Sequence, residues 1–301
     1  MQGERIIVTG ATGFIGRALV RQLLGQGAAV TAFVIESPGE LAQTNFPESV
    51  STVQVDLRYA GGVARAVKDA DPTVVIHLAA VGVTDPFLPV SEALRGNLDA
   101  TINLLKGVAG RCRLLIARSP HDREPMNVYA ASKAAAWAFC EMYHRVEGWP
   151  IVGVMPFQAY GPGGSPRTVL GAAVKAAKAG ENFPTTSGEQ VRDWIYVDDV
   201  ADGLIAAARA ANVAGQTIEL GTGIGTPLKD VVARVFQLAQ KPAPSGQPMF
   251  GALPQRPGEV MSQIADADRT ERLTGWQAKI GLDEGLRRIL TTDGTASRGN
   301  G

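Results

Sequence analysis

The residues best suited to do chemistry in this chain are Tyr129 and Lys133, with Ser119 ten positions before the tyrosine. Tyr129-Ala-Ala-Ser-Lys133 lies in a helical stretch, NVYAASKAAAWAFCEMYHRV, and a spacing of four puts phenol and amine on one face, one turn apart. A free phenol titrates near about 10, too high for a base at neutral pH. A neighbouring ammonium, together with the positive charge of an oxidised nicotinamide, is expected to favour phenolate. Tyr129 then takes a proton from an alcohol, or returns one to a ketone, as hydride moves. Ser119 closes the apolar run RLLIARS and is expected to orient the reacting oxygen; its alternative is to cap a turn before Pro120.

A hydride carrier needs a cradle, and TGATGFIG supplies one. Gly10, Gly13 and Gly16 follow an apolar run and open a helix, the arrangement of a dinucleotide phosphate loop. The expected contacts there are Gly10, Thr12, Gly13, Phe14, Ile15 and Gly16, with the phosphates on the free amides of the helix start. The second run ends FVIES. Val34 occupies the place of the usual ribose-binding acid and Glu36 follows two residues later, with no Arg after it. That favours NAD(H) and leaves NADP(H) open. Asp56 and Leu57 after the third run are candidates for the adenine, and Leu78, Ala79 and Ala80 after the fourth for the cofactor's flank. His77 reads as structural.

The elements that must hold these groups are legible as an alternation. Six short apolar runs, RIIVTG, AVTAFVI, VSTVQVD, TVVIHLAA, RLLIARS and PIVGVMPF, are separated by helix-length stretches. They are rich in Val and Ile and apolar on successive residues, as strands buried on both faces are. The expected fold class is α/β, a doubly wound parallel Rossmann sheet with a small C-terminal substrate-binding lobe. Residues 1–165 form the dinucleotide-binding part, completed by pieces of 192–222; residues 166–290 form mainly the lobe; 291–301 form a flexible tail.

Composition excludes several classes. Lys plus Arg equals Asp plus Glu at 29 each, so no basic excess points to nucleic acid or an anionic membrane. No stretch approaches the roughly 18 apolar residues of a spanning helix, and the N-terminus has no leader pattern. Cys112 and Cys140 read as reduced thiols, no metal-ligating cluster is evident, and a cytoplasmic setting is expected.

TGATGFIG, HLAA, YAASK, YGP at 160–162 and RDWIYVDDV at 192–200 together resemble the extended short-chain dehydrogenase/reductases, the NAD-dependent epimerase/dehydratase group acting on nucleotide sugars. The resemblance runs from residue 5 to about 290. It implies a homodimer built from helices at about 91–109 and 127–146, a diphosphate held by Arg192 and Arg256, and an Asn, here Asn97, on the helix behind the active site. It also implies that Lys133 holds the nicotinamide ribose and that Pro156 and Gln158 lie at cofactor and sugar.

Three departures stand out. The Ser119–Tyr129 segment is short. Pro120 and His121 stand where 4,6-dehydratases carry Asp-Glu, with Asp122 and Glu124 at other offsets, which argues against dehydration. Met155 and Gln158 replace the Arg and Asn of the usual LRxxN. The short loop and the C-terminal texture are most similar to the reductases that make CDP-abequose or CDP-paratose. The expected activity is therefore reduction of a 4-keto-6-deoxyhexose at C4 of a nucleotide sugar. A C4 epimerase with tightly bound NAD is the alternative, and a non-catalytic cofactor-binding protein a third.

Overall fold

The computed structural model describes residues 1–44, 46–85, 87–239, 246–255 and 258–291. Arg256 and the expected tail at 292–301 lie outside the described residues. In chain order the elements are β1 (Arg5–Thr9), α1 (Phe14–Gly25), β2 (Ala29–Val34), α2 (Pro38–Ala42), β3 (Ser51–Gln54), α3 (Ala60–Ala70), β4 (Val74–His77) and α4 (Val90–Ala93). A π-helical turn (Leu94–Asp99) leads into α5 (Ala100–Val108) and β5 (Arg113–Ala117). A 3₁₀ turn (Pro120–Asp122) then precedes α6 (Val128–Glu147), β6 (Ile151–Pro156), β7 (Gln158–Tyr160), α7 (Val169–Ala179) and β8 (Phe183–Pro184). The remainder is β9 (Val191–Tyr196), α8 (Val197–Arg209), β10 (Thr217–Leu220), β11 (Gly225–Pro227), α9 (Leu228–Leu238), β12 (Pro248–Met249), β13 (Ser262–Gln263), α10 (Ala267–Thr274) and α11 (Leu282–Thr291).

All six apolar runs are strands of one seven-stranded parallel sheet, ordered β10-β6-β5-β4-β1-β2-β3. Alternate residues feed two apolar layers. Ile6, Val8 and Ile76 pack with α1 and α8 on one face, while Ile7, Val75, Leu114 and Ile116 pack with α3, α5 and α6 on the other. Covering both faces is what lets the strands be apolar throughout. The chain order reverses between β1 and β4, so the crevice for a ligand opens at their C-terminal ends. The glycine loop and Leu78–Ala80 sit at that point.

Of residues 192–222, parts of which are expected to complete the dinucleotide-binding unit, β10 joins this sheet and α8 covers one of its faces. Thr217 of β10 pairs with Gly153 on the free edge of β6. With that edge taken, β9 forms a separate small sheet with β7, β11 and β13. Asp193, fully buried on β9, ties that sheet together by accepting from the backbone amides of Thr222, Gly223 and Ala265 at 2.8, 2.9 and 3.2 Å.

Candidate active site

The glycine loop is shaped by contacts that admit no side chain. Gly10 has φ +66°, and a Cβ on it would lie 2.7 Å from the Ala79 nitrogen. A Cβ on Gly16 would lie 2.1 Å from the Gly10 oxygen, so helix α1 rests directly on the turn. Gly13 is the N-cap of α1, with no side chain on the helix end and no acidic residue in the first turn. The first-turn amides of Phe14, Ile15 and Gly16 are thus presented to the cleft, a cradle suited to a dinucleotide's phosphates. The ring of Phe14 stands beside Gly161 and Gly164, so the loop after β7 packs onto the start of α1.

Glu36 sits where a ribose-reading acid is needed, although it lies past the end of β2. The chain turns back there, and the Glu36 carboxylate accepts the Thr12 hydroxyl at 2.8 Å, which brings it to the glycine loop. Asp56 is engaged by the Arg58 guanidinium, with contacts of 2.6 to 3.0 Å, and this partner holds its carboxyl below the ordinary value. Leu57 is buried in the apolar layer with α3 and α5, and its carbonyl accepts from Asn103 at 2.9 Å. Pro156 ends β6, buried and paired with Leu220. Gln158 opens β7, half-buried, opposite Trp194 of β9.

Ser119 fills both parts considered for it. It caps the 3₁₀ turn, its Oγ accepting from the His121 amide at 3.3 Å, and it lies close enough to the Tyr129 hydroxyl to favour the phenolate. Asn127 starts α6 by accepting the Ala130 amide at 2.8 Å, which fixes where Tyr129 emerges. Asn97 is buried on the π-helical turn. It bonds both backbone groups of Val81, at 2.8 and 3.1 Å, and donates to Ser132 Oγ at 2.9 Å. It therefore braces α6 against the segment that follows β4. His77 is fully buried between Thr9 Oγ1 at 2.7 Å and Thr101 Oγ1 at 3.1 Å. Burial, and then Lys133, push its imidazole down to about 3, so it is a neutral structural residue.

The expectation of a phenol made acidic by Lys133 is not met by the protein's own groups. Burial pushes Tyr129 up to about 12, Asp122 adds in the same direction, and the neighbouring Ser119 side chain opposes them. Lys133 is buried beside it, and the same loss of water pulls its ammonium down to about 8. Spacing along a helix conveys proximity of charge but not desolvation, and here desolvation is the larger effect. A phenolate in this cleft needs a further positive charge.

Three groups left unassigned by the sequence surround Ser119. Arg118 and Asp122 form a buried bidentate ion pair at 2.9 and 2.8 Å. Arg123 pairs with Glu219 at the end of the large sheet. His121 contacts Gln263 at 3.2 Å, and burial and Arg192 hold its imidazole below the ordinary value. Arg192 is buried on β9 and bonded to Glu259 at 3.4 Å. Asp122, its carboxylate buried and occupied by Arg118, is in no position to act as an acid for elimination. Among the described residues, no helix is long and apolar enough to cross a membrane.

Comparison with known proteins agrees with this geometry. A model of the "NAD dependent epimerase/dehydratase family" matches residues 6–221. A UDP-glucose 4-epimerase of Cyamopsis tetragonoloba is 30% identical, over 95% of this chain and 93% of that protein. A probable dTDP-glucose 4,6-dehydratase of Sinorhizobium fredii is 27% identical, over 95% of this chain and 91% of that protein. Among solved structures, the UDP-glucose 4-epimerase of Thermus thermophilus in complex with NAD superposes with a TM-score of 0.79 at 29% identity. That match covers 95% of this chain and 97% of the other.

Proposed function

This chain belongs to the NAD dependent epimerase/dehydratase family of enzymes, and we propose that it inverts C4 of a nucleotide-activated hexose while retaining its NAD. The observation that carries the reading is the buried Ser119 acting on the Tyr129 hydroxyl, with Lys133 buried one helical turn on, in a chain that also carries an uncapped glycine cradle. The locked Asp122 argues against dehydration. Relatives named as 4-epimerases, matching over almost the whole chain, favour epimerisation over the simple ketoreduction that the sequence first suggests.

The dinucleotide, bound at the glycine loop, supplies a hydride acceptor, a hydride donor on the return step, and the positive charge that the tyrosine lacks. Tyr129 would take the C4 hydroxyl proton as the C4–H bond breaks with its electron pair and, once the keto-sugar has turned over so that hydride returns to the opposite face of C4, would give the proton back to the C4 oxygen. Ser119 holds the C4 oxygen. Lys133 holds the nicotinamide ribose and lends its charge. Arg192 and Arg256 grip the diphosphate, whose remote binding positions the sugar, and Gln158 contacts the sugar. Glu36, an anion at the ribose, accepts its hydroxyls and repels a 2′-phosphate, so NAD(H) is the cofactor. Asp56, Leu57, Leu78, Ala79, Ala80 and Pro156 complete the cleft wall. The protein acts as a homodimer through the face of α4 and α6, where Val90, Leu94, Phe139, Met142 and Val146 are exposed.

One observation favours a second reading. The short connection from Ser119 to α6 resembles that of 4-ketoreductases of nucleotide-linked 6-deoxyhexoses. Purified protein mixed with UDP-, dTDP- and CDP-hexoses without added cofactor and, separately, with nucleotide-linked 4-keto-6-deoxyhexoses plus NADH, separates the two. Interconversion of a C4 pair with no net change in reduced-cofactor absorbance supports epimerisation. Stoichiometric loss of NADH with a 4-keto-6-deoxyhexose supports reduction, and neither result with any nucleotide refutes both.

A further inference from the structure

We propose that Arg118 and Asp122 form a positioning pair that fixes Ser119 against Tyr129 without touching substrate, a role that rests on the reaction proposed above. Ser119 stands at a strand end followed by only eight residues before α6 begins, and its own cap on the His121 amide is long, at 3.3 Å. Arg118 provides that fixity by using every edge of its guanidinium. Nε and Nη2 donate to the two carboxylate oxygens of Asp122 at 2.9 and 2.8 Å. Nη1 donates to Thr217 Oγ1 at 2.7 Å, at the start of β10. Its planar face lies 4.6 Å over the indole of Trp137, one turn beyond Lys133 on α6. One side chain thus joins the strand end, the turn, the catalytic helix and the sheet's edge strand.

Asp122 passes that fixity to Ser119. Its amide donates to the Ser119 carbonyl at 2.9 Å, and its carboxylate lies 3.5 Å from the Ser119 amide. The serine hydroxyl then meets Tyr129. Room for the knot is made by Gly153 in the middle of β6. A Cβ there would lie 2.8 Å from both Thr217 Oγ1 and the Trp137 ring and 3.0 Å from Arg118 Cδ. The Asp122 carboxylate is wholly buried and Arg118 is 14% exposed, so neither faces the cleft as a free acid or base. The charged groups around the tyrosine are Asp122 and Arg118 from the turn and strand end and Lys133 from α6; the Asp122 charge opposes phenolate formation.

The test uses the double variant Arg118→Met/Asp122→Leu, which replaces the buried pair with apolar groups of similar size, a change that often preserves stability. The expected result is near-unchanged melting and NAD⁺ affinity, with kcat lower by about 10- to 100-fold and KM little altered, because Ser119 loses its fixed geometry. Arg118→Lys rescues little, since one ammonium cannot span Asp122, Thr217 and the indole face. Asp122→Asn and the double variant are also titrated as NAD⁺ complexes, by phenolate absorption, against the matching proteins carrying Tyr129→Phe. The Asp122→Asn midpoint falls as the opposing charge goes, and that of the double variant lies above it because Ser119 no longer favours the phenolate, a difference that a merely structural pair would not cause. A double variant with wild-type melting, kcat and tyrosine midpoint overturns the proposal. If the unaltered protein turns over no nucleotide hexose, the proposed reaction fails, and an unshifted midpoint in both variants then overturns the pair on its own.

Discussion

Gly16→Ala tests whether the cradle is built by backbone contact. On propensity alone, alanine in helix α1 is better than glycine by about 0.8–1 kcal/mol. At this position the new Cβ would lie 2.1 Å from the Gly10 oxygen and 2.8 Å from the Ala11 Cα, both backbone atoms that cannot swing away. Overpacking of that kind costs about 1–3 kcal/mol, so the two effects together leave a net loss of roughly 0–2 kcal/mol. The relief must come from α1 moving off the turn, which withdraws the amides of Phe14, Ile15 and Gly16 from the phosphates. Binding should therefore suffer more than stability, with NAD⁺ affinity down by at least about 10-fold, or 1.4 kcal/mol. Gly25→Ala is the control on the same helix. It is exposed, with nothing within 4 Å of its Cβ position, and should leave affinity unchanged while gaining about 0.4–1 kcal/mol. Urea unfolding gives the stabilities, and titration of protein fluorescence with NAD⁺ gives the affinities. Gly16→Ala with wild-type affinity would refute the reasoning.

Two further outcomes follow from the same structure. Lys133→Met should stabilise the empty protein by about 3 kcal/mol at pH 7, since a lysine whose ammonium is pulled from 10.5 to about 8 is costly to bury while charged. The unfolded chain holds the Lys133 proton up to its ordinary value and the folded chain releases it near 8, so the gap between variant and parent closes as pH rises from 8 towards 10.5. Denaturant midpoints across that range check it, and a pH-independent gap contradicts it. Phe139→Glu/Met142→Glu should convert a dimer to monomer in sedimentation while leaving NAD⁺ binding intact, because both side chains are exposed on α6 away from the cleft. A parent protein that is monomeric at every concentration would remove the proposed α4–α6 interface.

What the sequence disclosed here is what short-range pattern can carry. Val- and Ile-rich runs such as VVIH and PIVGVMPF are legible as strands because burial on both faces leaves them no polar residues. Gly10 and Gly16 are legible because close backbone contact leaves no other choice of residue. The groups that spacing does not disclose depend on partners far along the chain. Arg118 finds Thr217 across 99 positions and Arg123 finds Glu219 across 96, and no local motif marks either meeting. The placement of β9 in a second sheet depends on β10 taking the edge of β6. The ionisation of Tyr129 in the protein alone is hidden from the sequence for a related reason. The distance to Lys133 is written in the sequence, while the loss of water around both groups arises only on folding.

The most direct test of the account is Tyr129→Phe, assayed with NAD⁺-loaded protein and a nucleotide hexose that the parent interconverts. The phenyl ring keeps the packing and removes only the proton carrier. The account predicts unchanged NAD⁺ affinity and turnover reduced by about 10²- to 10⁴-fold. Turnover within a few-fold of the parent would contradict it and place the proton-transferring group elsewhere.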